Sequence, residues 1–90
     1  MNTFKVGDIV RFVNVDKLEN FAQKRDDYFV APNRPTIVSC MFKYLDGKTV
    51  TKILEIIDYK TTYIVDADNG RWRWPNFCFE RVDSKNLEIE

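Results

Sequence analysis

The sequence predicts a small, mainly β domain, and three features carry that expectation. Runs rich in β-branched and aromatic residues recur at short intervals, two pairs of them meet across Asp46-Gly47 and Asn69-Gly70, and only one stretch has helical spacing. Five short strands with a long first connection and a single turn before the last strand are the order of a small five-stranded barrel.

The first strand is expected within Phe4–Val13, with Gly7-Asp8 bending the chain before it settles. Asp16-Lys17-Leu18-Glu19 then offers a capping box, and Leu18, Phe21, Ala22 and Arg25 follow at helical spacing, which predicts a short helix over 17–26. Pro32 and Pro35 make Tyr28–Pro35 a loop, so all of 14–35 reads as one long excursion of the kind that often carries function.

Thr36–Tyr44 and Thr49–Ile57 are expected to pair across Asp46-Gly47, setting Phe42 against Thr51, Cys40 against Ile53 and Val38 against Glu55. Both faces of that hairpin come out mixed, which points to a bulge or to partial cover on both sides. The second hairpin sorts better. A two-residue turn at Asn69-Gly70 places Asp68 opposite Arg71 and Asp66 opposite Arg73 on one face, with Ala67 opposite Trp72 and Val65 opposite Trp74 on the other. Tyr63 continues the apolar face, and Ile64 falls on the charged one. Pro75-Asn76-Phe77 interrupts with irregular or 3₁₀ geometry, Cys78–Val82 closes the domain, and 83–90 is a polar tail.

Ninety residues fit one domain, assigned to 1–82, and 44% hydrophobic with 14% aromatic content is enough to build a core without staples. Lys plus Arg and Asp plus Glu both number 14, so no long-range field draws the chain to nucleic acid or anionic lipid. The absence of a membrane-length apolar run and of a signal-peptide core implies a cytoplasmic protein. In that compartment Cys40 and Cys78, both among apolar neighbours, are expected as buried free thiols rather than a disulfide.

Val6-Gly7-Asp8-Ile9-Val10 near the start, and Trp74-Pro75 leading into Phe79-Glu80-Arg81-Val82 near the end, resemble the opening and closing of SH3-like barrel proteins. The resemblance implies a five-stranded SH3-like barrel with a long first loop containing a short helix, a plan common among small accessory proteins of phages and bacteria. For a phage protein the location would be the host cytoplasm. The tryptophans here follow Asn69-Gly70 rather than opening a third strand, and the first long loop lacks an Ala-Leu-Tyr-Asp-Tyr-like stretch, so recognition of proline-rich peptides is not implied.

Chemistry has little to build on. There is no histidine, the commonest general base near neutral pH, and two cysteines without one do not complete a zinc shell. The three glycines, Gly7, Gly47 and Gly70, are each accounted for by a bend or turn, and the carboxylate pairs Asp26-Asp27 and Asp66 with Asp68 lack a companion nucleophile. The expectation is therefore a non-catalytic module with no cofactor and no metal.

Two binding surfaces remain. Tyr28, Phe29, Arg34 and Arg25 on the long loop combine aromatic rings with arginine, the composition of protein interfaces, and make the leading candidate for contact with a protein partner. Against this, Leu18, Phe21 and Phe29 could simply cover one end of the core. The alternative is a nucleic-acid patch of Arg71, Arg73, Lys60 and Arg34, suggested by the alternation Arg71-Trp72-Arg73-Trp74. Strand alternation argues against it, since cations and rings would then lie on opposite faces, with the arginines paired to Asp66 and Asp68 and both indoles inside. An aromatic cage from Tyr59, Trp72 or Trp74 and a loop tyrosine is outweighed by core packing.

Overall fold

Residues 4–57 and 61–82 are described in a computed structural model of the chain. It is mainly β, as expected, but its strands form two sheets. One has five strands in the order β7-β6-β5-β1-β8, and the other is a three-stranded sheet, β2-β3-β4. The strands are β1 (Ile9–Phe12), β2 (Gln23–Lys24), β3 (Tyr28–Val30), β4 (Ile37–Val38), β5 (Val50–Ile57), β6 (Thr62–Val65), β7 (Trp74–Pro75) and β8 (Phe79–Arg81). The five-stranded sheet is antiparallel throughout, with β1 held between β5 and β8. Among the described residues no pairing joins β7 to β8, so the expected barrel is not closed.

The opening bend falls where the sequence places it. Gly7 takes a φ of 94°, accessible at no steric cost only to glycine, and its N–H donates to Ile53 O at 2.8 Å. Lys5 N–H bonds Asp8 Oδ2, and Ile53 N–H bonds Asp8 O, which delivers β1 onto β5.

The excursion at 14–35 differs from expectation. Its helical part is a 3₁₀ segment over Val15–Asn20, capped by the Asn14 side chain on Asp16 N–H rather than by the Asp16 box, and it buries only Leu18. The chain then forms a hairpin in place of the end of the expected helix and the start of the expected loop: β2 and β3 pair with Lys24 opposite Phe29, and Arg25 N–H bonds Tyr28 O across Asp26-Asp27. The sequence offered no hairpin dipeptide of the usual kind there, and β4 supplies the third strand.

The expected strand at 36–44 is also corrected. Only Ile37–Val38 are extended, and Ser39–Tyr44 form a second 3₁₀ segment. Met41 is the buried residue of that segment, and Ile37 before it in β4 and Leu45 just after it are buried too. With those residues coiled, the pairs Phe42/Thr51, Cys40/Ile53 and Val38/Glu55 do not form, and β5 takes β1 and β6 as its neighbours. Asp46-Gly47 is no hairpin turn. Asp46 Oδ1 accepts from Lys48 and Thr49 N–H, Oδ2 accepts from Thr49 Oγ1, all at 2.8 Å, and Asp46 bridges Asn14.

In the second hairpin the reversal is placed correctly and the register is not. Asn69 and Gly70 both have positive φ, 59° and 74°, as a primed turn requires. Trp74, however, opposes Tyr63 instead of Val65, and 66–73 forms a wide loop. The cause is β5, which holds the loop's first residues: Asp66 N–H donates to Lys52 O and Ala67 N–H to Thr51 Oγ1. A slip of two residues preserves the face, so Trp74 and Tyr63 remain inside together. The turn before the last strand forms as expected, a 3₁₀ segment over Asn76–Cys78.

A single core joins the two sheets. Phe12 lies 4.7 Å from Trp74 and 5.0 Å from Phe79 between ring centroids, Tyr63 and Phe4 extend the cluster, and Phe29, Ile37 and Met41 carry it beneath the small sheet. Cys78 is buried and Cys40 exposed, and both are free thiols, so burial holds for one of the two.

Candidate functional site

The residues assigned to a protein contact are separated by the fold. In β3, where alternate side chains face opposite ways, Phe29 is 3% exposed and packs on Phe42, whereas Tyr28 is half-buried. Arg25 is exposed beside the hairpin turn. Arg34 is half-buried and pinned, its Nε donating to Asn76 Oδ1 at 3.2 Å and one terminal nitrogen to Asn33 O. Of the four, Arg25 is thus the one fully presented to solvent.

The ring the assignment missed is Phe21. It is 58% exposed and stacks on half-buried Phe77, with centroids 5.6 Å apart and planes within 13°. Phe21 borders an open groove of about 610 Å³ lined by Ala22, Val30, Ala31 and Pro32, with Glu19 and Gln23 at its rim. It sits just past the 3₁₀ segment, which ends with the Phe21 and Ala22 N–H groups on Leu18 O and turns the phenyl ring away from the core. Helical spacing implied that Leu18 and Phe21 share a buried face; the segment ends at Asn20, and Phe21, at φ −127° and ψ −18°, has left the helical backbone that would have kept the two side chains on one side.

The residues of the alternative patch also part company. Arg71 and Arg73 are exposed, Arg34 is held against Asn76, and Lys60 and Tyr59 lie outside the described residues. Neither arginine meets its expected carboxylate. Asp68 is turned inward, where Oδ1 accepts from Gly70 N–H and Oδ2 from Trp72 N–H and the Trp74 indole N–H, each at 3.0 Å. Trp74 is fully buried but Trp72 only partly so, correcting the expectation of two buried indoles and removing an aromatic cage built on Trp74. Arg71 lies over the Trp72 ring at 5.1 Å, and both border a second cleft, of about 370 Å³, shared with Cys40, Lys43, Tyr44, Ala67 and Asn69.

Elsewhere the charges form a surface tie. Glu80 of β8 accepts from Arg11 of β1 at 2.9 Å, with Lys17 at 4.0 Å. Among the described residues no group of three or more His, Cys, Asp or Glu side chains converges to hold a metal ion, and no helix is long and apolar enough to cross a membrane. Burial raises the Cys78 thiol well above its ordinary pKa, which keeps it protonated and unreactive. Comparison with family models, with curated proteins and with solved structures finds no match.

Proposed function

We infer that the protein is a non-catalytic interaction module that takes an extended segment of a protein partner at the Phe21 groove. The observation that carries this reading is the Phe21–Phe77 stack, with Phe21 exposed at the mouth of a groove of mixed polarity, near β2, whose outer edge pairs with no strand among the described residues. Exposed aromatic anchors at the centre of a concave patch are where binding energy concentrates, and a free strand edge supplies main-chain donors and acceptors for an added strand. Because Arg25 N–H bonds Tyr28 O, alternation along the antiparallel ladder turns the N–H and C=O of Lys24 toward that free edge. The role expected of the 14–35 segment is kept, and the contact moves from Tyr28, Phe29 and Arg34 to Phe21, Lys24 and Arg25.

An SH3-like relationship is part of the same reading, supported by a strand order in which the last strand lies beside the first. The role of a phage or mobile-element accessory rests on size and on the two terminal motifs, and a cytoplasmic location is supported by the free thiols.

Selection of a displayed random heptapeptide library on the immobilised protein tests the site. Enriched peptides are expected to shift the amide resonances of Ala22, Lys24 and Ala31. They should bind roughly tenfold or more weakly to Phe21→Ala, the effect of losing a contact anchor, and to Lys24→Pro, which removes an outward N–H at an edge position where proline is tolerated. Neither variant should lower the melting temperature appreciably. Peptides that bind Phe21→Ala as well as the parent, or no enrichment over that variant as bait, would refute the assignment.

A further inference from the structure

We propose that the cleft between the Ser39–Tyr44 segment and the 66–73 loop binds a nucleotide unit, its phosphate between Lys43 and Arg71 and its base against Trp72. The site is independent of the Phe21 groove and rests on different residues.

Two cations border this cleft, and both are already held against aromatic rings: Lys43 Nζ lies 5.3 Å from the Tyr44 ring centroid and Arg71 5.1 Å from that of Trp72. Among the described residues neither is in an ion pair. A cation resting on a ring keeps its charge available to an anion while losing side-chain freedom, so part of the ordering cost of binding is already met. Asp68 also lines the cleft and offsets one of the two cations, but its two oxygens are turned to three N–H donors inside the loop and it pairs with neither. Its role is to hold Trp72 and Gly70 in position at the cleft wall.

Strand alternation had argued against contact with nucleic acid, since it would send arginines and indoles to opposite faces. That objection lapses because 71–73 is not a strand. Arg71 and Trp72 stand together on one cleft, which is the arrangement that stacking and phosphate recognition require. A volume of about 370 Å³ lies at the small end of the range for ligand sites, suited to one base and its phosphate. The chain as a whole carries no net charge, so attraction is confined to these two side chains and should be correspondingly weak in salt dependence.

The same chemistry occurs in a free mononucleotide and in a single strand, so both are tested. Uridine monophosphate and an eight-nucleotide oligo(dT) are titrated in low salt while tryptophan emission is followed; Trp74 is enclosed, so quenching reports on Trp72. In parallel, alkylation of Cys40 is timed, since this exposed thiol lines the cleft and Cys78 is buried. Binding should quench emission and slow Cys40 alkylation together. Lys43→Glu and Arg71→Glu should each weaken binding roughly tenfold, the loss of one charge-assisted contact, and Phe21→Ala should not. For the oligonucleotide, log K should fall with log salt at a slope of about −0.7, that of one neutralised phosphate on a single strand. Binding of the oligonucleotide alone makes the natural ligand a strand, and equal binding of both makes it a free nucleotide. Quenching without Cys40 protection, affinity unchanged in both charge reversals, or no binding of either probe overturns the proposal.

Discussion

At the scale of single residues, two aspartates behave as local organisers where the sequence reading had them as turn markers or ion-pair partners. Short carboxylates compete for nearby backbone N–H groups, and they do so wherever the chain folds back within two or three residues. Asp46 is the exposed case. The Thr49 N–H, then the Lys48 N–H and the Thr49 hydroxyl, hold its carboxyl down at about 2, from 3.8 in the absence of structure. A lowered carboxyl pKa stabilises the fold fully above the unfolded value and loses that contribution as pH falls toward the folded one. The melting-temperature gap between the parent and Asp46→Ala should therefore be constant above about pH 5 and shrink between pH 4 and 2. A gap that stays constant down to pH 2 would mean these bonds do not exist in solution.

At the scale of elements, the 66–73 loop shows how one buried side chain sets the shape of a connection. A two-residue hairpin needs the residues beside the turn to remain in the ladder. Here β5 captures Asp66 and Ala67, Asp68 turns inward to the indole of Trp74, and the ladder resumes only at Tyr63 with Trp74. Asp68→Ala leaves a buried indole N–H without its acceptor, which costs about 2 to 3 kcal/mol. Urea denaturation followed by tryptophan emission measures this directly. A loss below about 0.5 kcal/mol, the range of ordinary surface changes, would show that Asp68 does not organise the loop.

The same scale explains the two elements that sequence patterning misassigned. Ser39–Tyr44 carries β-favouring neighbours, yet Ile37, Met41 and Leu45 reach one core only if the chain coils. Its six residues bury only Met41, so no apolar period in the sequence marks the segment. The β2–β3 hairpin had no strong mark either, because Asp26-Asp27 is not a strong turn pair; β3 is held by β4 and by the packing of Phe29, and β2 is held by β3.

At the scale of the whole molecule, the two sheets depend on one aromatic core. Phe12 touches Tyr44, Trp74 and Phe79, which come from three separate parts of the chain. Truncating a fully buried phenylalanine costs about 3 to 5 kcal/mol, a large share of a small domain's stability. Phe12→Ala should lower the urea midpoint accordingly, and tryptophan emission and far-ultraviolet circular dichroism should trace one shared transition. Separate transitions would show that the small sheet folds on its own and that the core does not unite the two.

Short-range chemistry alone determined much of this protein: its β character, the bend at Gly7, the reversal at Asn69-Gly70, the 3₁₀ turn after Pro75 and the burial of Trp74, because each follows from backbone preference or from alternation along a few residues. Tertiary structure decided the rest. The partner of β5, the open sheet, the exposure of Phe21 and the sharing of one cleft by Arg71 and Lys43 depend on which distant segments compete for the same hydrogen bonds and the same core. That competition is settled by the packing of the whole chain, and no local pattern encodes it.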